Sequence, residues 1–174
     1  CPMGLAPTTS TTASMALGDA IAVALLQRKG FTIDDYSVLH PGGSLGADLR
    51  RVSELMHTGD SVPLCTPDQT MSEAILLMTS KRFGCLGVTG PNGELIGIIT
   101  DGDLRRNMDN NLLNRTAEEI MTAAPRTIPP QALAVEALAL MNNSKQPITA
   151  LYVVNHTGPI GIIHIHDLLR AGIR

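Results

Sequence analysis

Two places in the sequence combine residue types and spacing that chemistry can use. The first is His40-Pro41-Gly42-Gly43. An imidazole with an ordinary pKa of about 6.5 gives or takes a proton near neutrality. Pro41 pushes His40 toward an extended backbone, and the two glycines permit a tight turn with positive φ. His40 could equally cap a helix end and bond a backbone group. The second place is Gly97-Ile98-Ile99-Thr100-Asp101-Gly102-Asp103-Leu104-Arg105-Arg106, an apolar strand that runs into oxygen ligands where a helix starts. Thr100 and Asp103 fit the grip of a nucleotide ribose, because an ionised carboxylate accepts from both ribose hydroxyls. Backbone amides beside Asp101 and Gly102 favour a phosphate. The competing reading is that Thr100 and Asp101 only cap the helix.

This second motif recurs 64 residues later as Gly161-Ile162-Ile163-His164-Ile165-His166-Asp167-Leu168-Leu169-Arg170, with six of ten positions identical. Asp167 stays where Asp103 was, and His164 replaces the threonine. A neutral imidazole donates one hydrogen bond but is bulkier, so the two sites are not equivalent. His164 and His166 share a face on a strand and diverge once a helix begins. No third ligand lies nearby in sequence, so no metal centre is expected.

Composition narrows the classes. The chain has 174 residues, of which 44% are hydrophobic and 17% charged, so it should fold around a real core. Aromatic residues make up only 2%, with no Trp, which predicts an aliphatic, Met-filled core without stacking platforms for nucleic acid. A formal charge of −3 also argues against a nucleic-acid partner. Cys1, Cys65 and Cys85 lack C-x-x-C spacing and fit a reducing, cytoplasmic setting. No apolar run reaches the ~18–20 residues that span a membrane, and no basic stretch precedes an apolar block at the N-terminus. Neither a membrane partner nor a signal peptide is expected. The chain begins at Cys1 in mid-phrase and reads as the C-terminal piece of a longer protein.

The elements that must hold these residues follow from periodicity. Residues 8–30 predict a helix, with Thr8 to Thr12 as N-cap oxygens, Gly30 as its stop, and too few polar residues for a surface position. Hydroxyls or amides of Thr8 to Thr12 could also lie near an anion, with N-capping the plainer reading. Thr32 and Asp35 resemble a capping arrangement for a short helix that ends before His40, and Ser44 to Arg51 can restart a helix. From about residue 52 the pattern is β-α-β-β-α, twice. Strands are expected at 62–65, 85–89, 95–99, 126–128, 150–154 and 159–163, with Thr70 and Glu73 as a capping box between the first two. Glu54-Leu55-Met56 and Glu119-Ile120-Met121, 65 apart, lead into the two repeats. Residues 107–115, rich in Asn, form the linker.

The repeats resemble a tandem pair of cystathionine-β-synthase (CBS) domains, with the G-x-x-[ST]-x-x-D signature at Gly97, Thr100 and Asp103. The resemblance covers Val52 to Arg174. Residues 1–51 resemble the end of a sugar isomerase (SIS) domain. Ala6-Pro7-Thr8-Thr9-Ser10-Thr11-Thr12, Leu17-Gly18-Asp19-Ala20 and His40-Pro41-Gly42-Gly43-Ser44-Leu45-Gly46 are similar to the phrasing of bacterial arabinose-5-phosphate isomerases. So are Met56-His57-Thr58-Gly59-Asp60 and both strand-to-helix motifs. The implied fold class is α/β (α+β): CBS domains at 52–108 and 115–174, after a helical SIS remnant at 1–51.

The resemblance implies aldose–ketose isomerisation between D-ribulose 5-phosphate and D-arabinose 5-phosphate, which feeds 3-deoxy-D-manno-octulosonate (Kdo) for lipopolysaccharide and some capsules. It implies a sugar phosphate substrate, no cofactor, and a homotetramer joined through SIS domains. The reaction moves a proton between C1 and C2 through an enediol, and the resemblance makes His40 catalytic. The family's remaining catalytic groups lie upstream of this segment, so this piece alone is expected to be inactive. CBS clefts take nucleotides, here a nucleotide or a CMP-Kdo-like effector, through Thr100, Asp103 and Asp167. The segments leading into the repeats add Thr66 and Glu119 as candidate ligand contacts. A stand-alone CBS-pair nucleotide-binding module without catalysis is the alternative. A transporter's regulatory tail fits less well, since the His40 turn and the apolar helix before it have no place there.

Overall fold

The threonines at the start of the first long helix, α1 (Thr9–Arg28), do not cap it with their side chains. In the computed structural model the hydroxyls of Thr11 and Thr12 donate back to the Thr8 carbonyl, at 2.7 and 3.1 Å. Gly30 ends the helix as expected, in the left-handed region at φ +64°, with its N–H on the Gln27 carbonyl. The structure describes residues 1–39, 43–143 and 148–174, without the side chains of Pro2, Ile33, Asp34, Ser37 and residues 43–45.

Two expectations for α1 need correction. It was expected to be buried on most sides, yet none of its residues is buried. Its apolar residues are spread around the axis instead of gathered on one face, so no one face is marked for burial. It is also 20 residues long with a mean hydropathy of 1.3 in its best window, enough by length and composition to cross a membrane. The expectation of no such segment looked for an unbroken apolar run. Thr, Ser and Gly interrupt the run here but barely lower the average, and Asp19 is the only acid.

After α1, Thr32 and Asp35 make the expected reciprocal cap on α2 (Ile33–Leu39). The Thr32 N–H donates to Asp35 Oδ2 at 2.8 Å, and the Asp35 N–H to Thr32 Oγ1 at 3.2 Å. His40 lies outside the described residues. The chain divides into two compact units, Cys1–Pro41 and Gly42–Arg174.

The second unit opens with α3 (Gly43–Asp48) and then carries the duplication. The first copy contains β1 (His57–Thr58), β2 (Leu64–Cys65), α4 (Met71–Lys81), β3 (Cys85–Thr89), β4 (Leu95–Thr100) and α5 (Asp101–Arg106). The second contains α6 (Ala117–Ile120), β5 (Thr122–Ala123), β6 (Thr127–Ile128), α7 (Ala134–Asn142), β7 (Ala150–Asn155), β8 (Gly158–His164) and α8 (Ile165–Arg170). The Thr70–Glu73 capping box is half made: the Glu73 N–H donates to Thr70 Oγ1 at 3.4 Å. The 107–115 linker is not loose, because Leu112 is buried in the core of the first repeat.

The sheet orders are β2-β3-β4-β5 and β1-β8-β7-β6. Each repeat's leader strand therefore completes the other repeat's sheet. β5 pairs antiparallel with β4 (Gly97↔Ala123, Ile98↔Thr122), and β1 pairs antiparallel with β8 (His57↔Ile162, Thr58↔Gly161). Met71, Met78, Leu86, Val88 and Ile99 fill the first core. Val52, Leu138, Met141, Leu151 and Ile163 fill the second. A third cluster, Cys85, Ala150, Tyr152 and Ile162, joins the repeats. Tyr152 and Gly87 hold equivalent positions in β7 and β3. The ring uses the space where Gly87 has no side chain; a β-carbon there would stand 2.8 Å from Tyr152 Cζ. The buried hydroxyl donates to the Pro63 carbonyl at 2.7 Å.

Candidate functional site

The site is built where β4 gives way to α5. Thr100 is the extended N-cap of α5 and Asp103 its third residue, so carboxylate and hydroxyl meet by local geometry alone. Asp103 Oδ2 accepts from the Thr100 N–H at 2.8 Å and from Thr100 Oγ1 at 2.6 Å. Asp103 Oδ1 accepts from Arg106 Nη2 at 2.6 Å and from Thr122 Oγ1 at 3.1 Å. Thr122 arrives on β5, the leader that crosses from the second repeat. Four donors fill the acceptor sites of a carboxylate, and the residue is buried. Burial pushes the Asp103 pKa up. The hydrogen bonds from Thr100, Thr122 and Arg106 outweigh it and hold the carboxyl below its ordinary range.

The second copy keeps the scaffold and changes the chemistry. The His164 N–H donates to Asp167 Oδ2 at 3.2 Å, and His57 Nε2 lies 3.0 Å from the same oxygen. In the matched register His57 on β1 stands where Thr122 stands on β5. Histidine thus replaces threonine at both contacts to the aspartate. His166 takes the place of Gly102, and its N–H donates to His164 Nδ1 at 3.2 Å. Arg170, the counterpart of Arg106, is 4.0 Å from Asp167 and 82% exposed. Phe83 packs on His57, with ring centres 5.1 Å apart. Burial lowers the His164 pKa, and the neighbouring His166 lowers it further. Among the described residues, no group of three or more His, Cys, Asp or Glu is placed to hold a metal ion.

A groove of about 1390 Å³ runs past the first site and reaches the second repeat at His164 and His166. Ile75, Met78, Phe83, Ile98 and Ile148 give it apolar walls. Arg82, Arg105, Arg106 and Arg126 face it, against the carboxylates of Asp101 and Asp103. That excess of fixed positive charge favours an anionic occupant. Of the residues singled out in the sequence, Thr100 and Asp103 line the groove. Asp167 does not; it faces His57 instead. Thr66 is exposed just past β2, and its carbonyl accepts from the Gln69 N–H at 3.2 Å. Glu119 spends its carboxylate on capping α6, accepting from the Thr116 N–H at 2.8 Å. Neither Thr66 nor Glu119 lines the groove. Sequence reasoning passed over Thr122, Arg106 and His57. The 65-residue offset that pairs the Glu-x-Met leaders also pairs His57 with Thr122, and was the signal available.

Comparison with known proteins agrees with this architecture. The chain is 46% identical to arabinose 5-phosphate isomerase KdsD of Yersinia pestis over 176 residues, 99% of this chain and 53% of that protein. It is 44% identical to KdsD of Escherichia coli K12, with the same coverage. The chain thus spans about half the length of the curated relatives it matches. Among solved structures, CBSX2 in complex with AMP is 25% identical with a TM-score of 0.61, over 70% of this chain and 95% of that one. A putative acetoin utilization protein, AcuB from Vibrio cholerae, shares the fold at 22% identity and a TM-score of 0.62, over 71% of this chain and 90% of that one. The CBS domain family model matches residues 52–110 and 117–174. With both copies of the strand-to-helix motif inside those matches and the leaders exchanged between them, the chain belongs to the CBS domain family, as a tandem pair.

Proposed function

We propose that this chain is the C-terminal, regulatory part of an arabinose 5-phosphate isomerase, and that its CBS groove senses an anionic nucleotide or nucleotide sugar. One observation carries the first half: similarity to the isomerases runs over 99% of the chain, so it includes residues before 52 that the CBS match leaves out. On this reading residues 1–51 close an SIS domain, and residues 52–108 and 115–174 are the regulatory domains. His40 is the acid–base group that helps open the sugar and move protons around the enediol. The parent is cytoplasmic, assembles through its SIS domains, and interconverts D-ribulose 5-phosphate and D-arabinose 5-phosphate. Residues 1–174 by themselves do not isomerise. The arginine-faced groove beside Thr100 and Asp103 supports the sensing role. AMP in the complex with CBSX2 is a precedent for the chemistry, and CMP-Kdo is the end-product effector that pathway logic favours.

Two measurements test this. In the parent enzyme, His40→Ala should remove most of the turnover of D-arabinose 5-phosphate; near-normal turnover overturns the catalytic role. Calorimetry of the 174-residue chain with AMP, ATP, CMP and CMP-Kdo should show at least one Kd below millimolar. Four flat titrations reject the sensing role.

A further inference from the structure

Arg106 sits on Asp103, the carboxylate that the nucleotide reading gives to a ribose. Its Nη2 is 2.6 Å from Oδ1, and the side chain is otherwise 61% exposed. The guanidinium lies across the first turn of α5 over Gly102, where a β-carbon would stand 3.3 Å from Arg106 Nη1. The opposite oxygen, Oδ2, is tied to Thr100 by two bonds that do not involve the arginine. Asp103 therefore stays in place when Arg106 leaves, and one acceptor position opens on Oδ1 beside the Thr122 hydroxyl, which stays at 3.1 Å. The arginine's side of the pair is open to solvent although Asp103 is buried, so another donor can reach Oδ1 from the groove once the guanidinium leaves. Arg82, Arg105 and Arg126 face the same groove, so a released Arg106 joins existing positive charge.

The second repeat lacks the device. His166 carries a side chain where Gly102 has none, and Arg170 stands off Asp167 at 4.0 Å. His57, from a different strand, approaches that aspartate instead.

We infer that Arg106 gates the groove: it holds the ribose position on Asp103, and a ligand displaces it by offering both a ribose hydroxyl for Oδ1 and an anion for the freed guanidinium. This rests on the nucleotide reading of the groove and adds its selectivity rule. Nucleotides open the gate, and the corresponding nucleosides, with the same base and diol, do not. Arg106 is thus a specificity-determining residue.

The test is calorimetry of the full chain and its Arg106→Gln variant with four ligands: AMP, adenosine, CMP and cytidine. Asp103 keeps three donors in the variant, so the fold is retained. The gate predicts that nucleoside affinity rises about 3- to 5-fold on removal of the competing pair. Nucleotide affinity falls about tenfold or more, through loss of a charge-assisted contact. An unchanged nucleotide-to-nucleoside preference overturns the gate while leaving nucleotide binding intact. Weaker nucleotide binding with unchanged nucleoside binding reduces Arg106 to a phosphate contact and also overturns it. If neither protein binds any of the four, the gate falls, and the nucleotide reading is decided by the ATP and CMP-Kdo titrations.

Discussion

Met121 Sδ occupies the space beside Gly97 that a β-carbon would fill, and Met56 Sδ does the same at Gly161, 2.7 Å from that position. Each methionine comes from the leader of the repeat that does not own the glycine. The Glu-x-Met leaders and the signature glycines, separate motifs in the sequence, are two halves of one contact made twice. It holds β5 against β4 and β1 against β8, and so brings Thr122 to Asp103 and His57 to Asp167.

A methyl group at either glycine should therefore loosen the leader exchange. Gly97→Ala and Gly161→Ala should each destabilise the chain by about 1–3 kcal/mol, the range for an overpacked site. Gly97→Ala with Met121→Ala should recover part of that loss, since the two residues share one space. Urea denaturation measures all three. An unchanged midpoint in Gly97→Ala shows that the sulfur moves aside freely.

The seam between repeats makes a second prediction. Tyr152→Phe removes one of two donors on the Pro63 carbonyl, which keeps the Gly87 N–H at 2.9 Å, and should cost about 0.5–1.5 kcal/mol. Burial pushes the neighbouring Cys85 thiol up to about 12 and the Cys65 thiol to about 11, whereas Cys1 is exposed. Since the thiolate is the nucleophile, iodoacetamide at pH 8 should label only Cys1 in the native chain and all three cysteines after denaturation. Mass spectrometry counts the adducts. Rapid labelling of Cys85 in the native chain means that the seam opens readily.

Stability should decline in two stages as pH falls. His164, whose folded pKa is lowered, is neutral in the fold and takes up a proton more readily when unfolded. Its contribution is complete above the unfolded value of about 6.5 and is lost as pH drops from there through the folded value. Asp103, also lowered, contributes fully above its unfolded value of about 3.9 and loses that contribution as pH drops through its folded value. His164→Thr, which copies the first repeat, should flatten the first stage and leave the second. Denaturation midpoints between pH 3 and 8 decide this. The same slope between pH 5 and 7 in His164→Thr assigns that stage to another group.

Much of this protein is determined within short stretches of its sequence. Thr100 and Asp103 are three residues apart, and their mutual cap needs only a strand that ends where a helix begins. Thr32 with Asp35 and the stop at Gly30 are local in the same sense. The 64-residue repetition made the duplication and the βαββα order legible, because each element carries its own period. Only the tertiary structure decided what surrounds the site. β1 and β5 are two residues long, too short for any period to reveal, and the contacts they make join His57 to Asp167 and Thr122 to Asp103. Whether an aspartate faces a groove or a histidine depends on how the leaders cross. That crossing is set by methionines packing on glycines in the other repeat, and it is invisible to any reading of one stretch at a time.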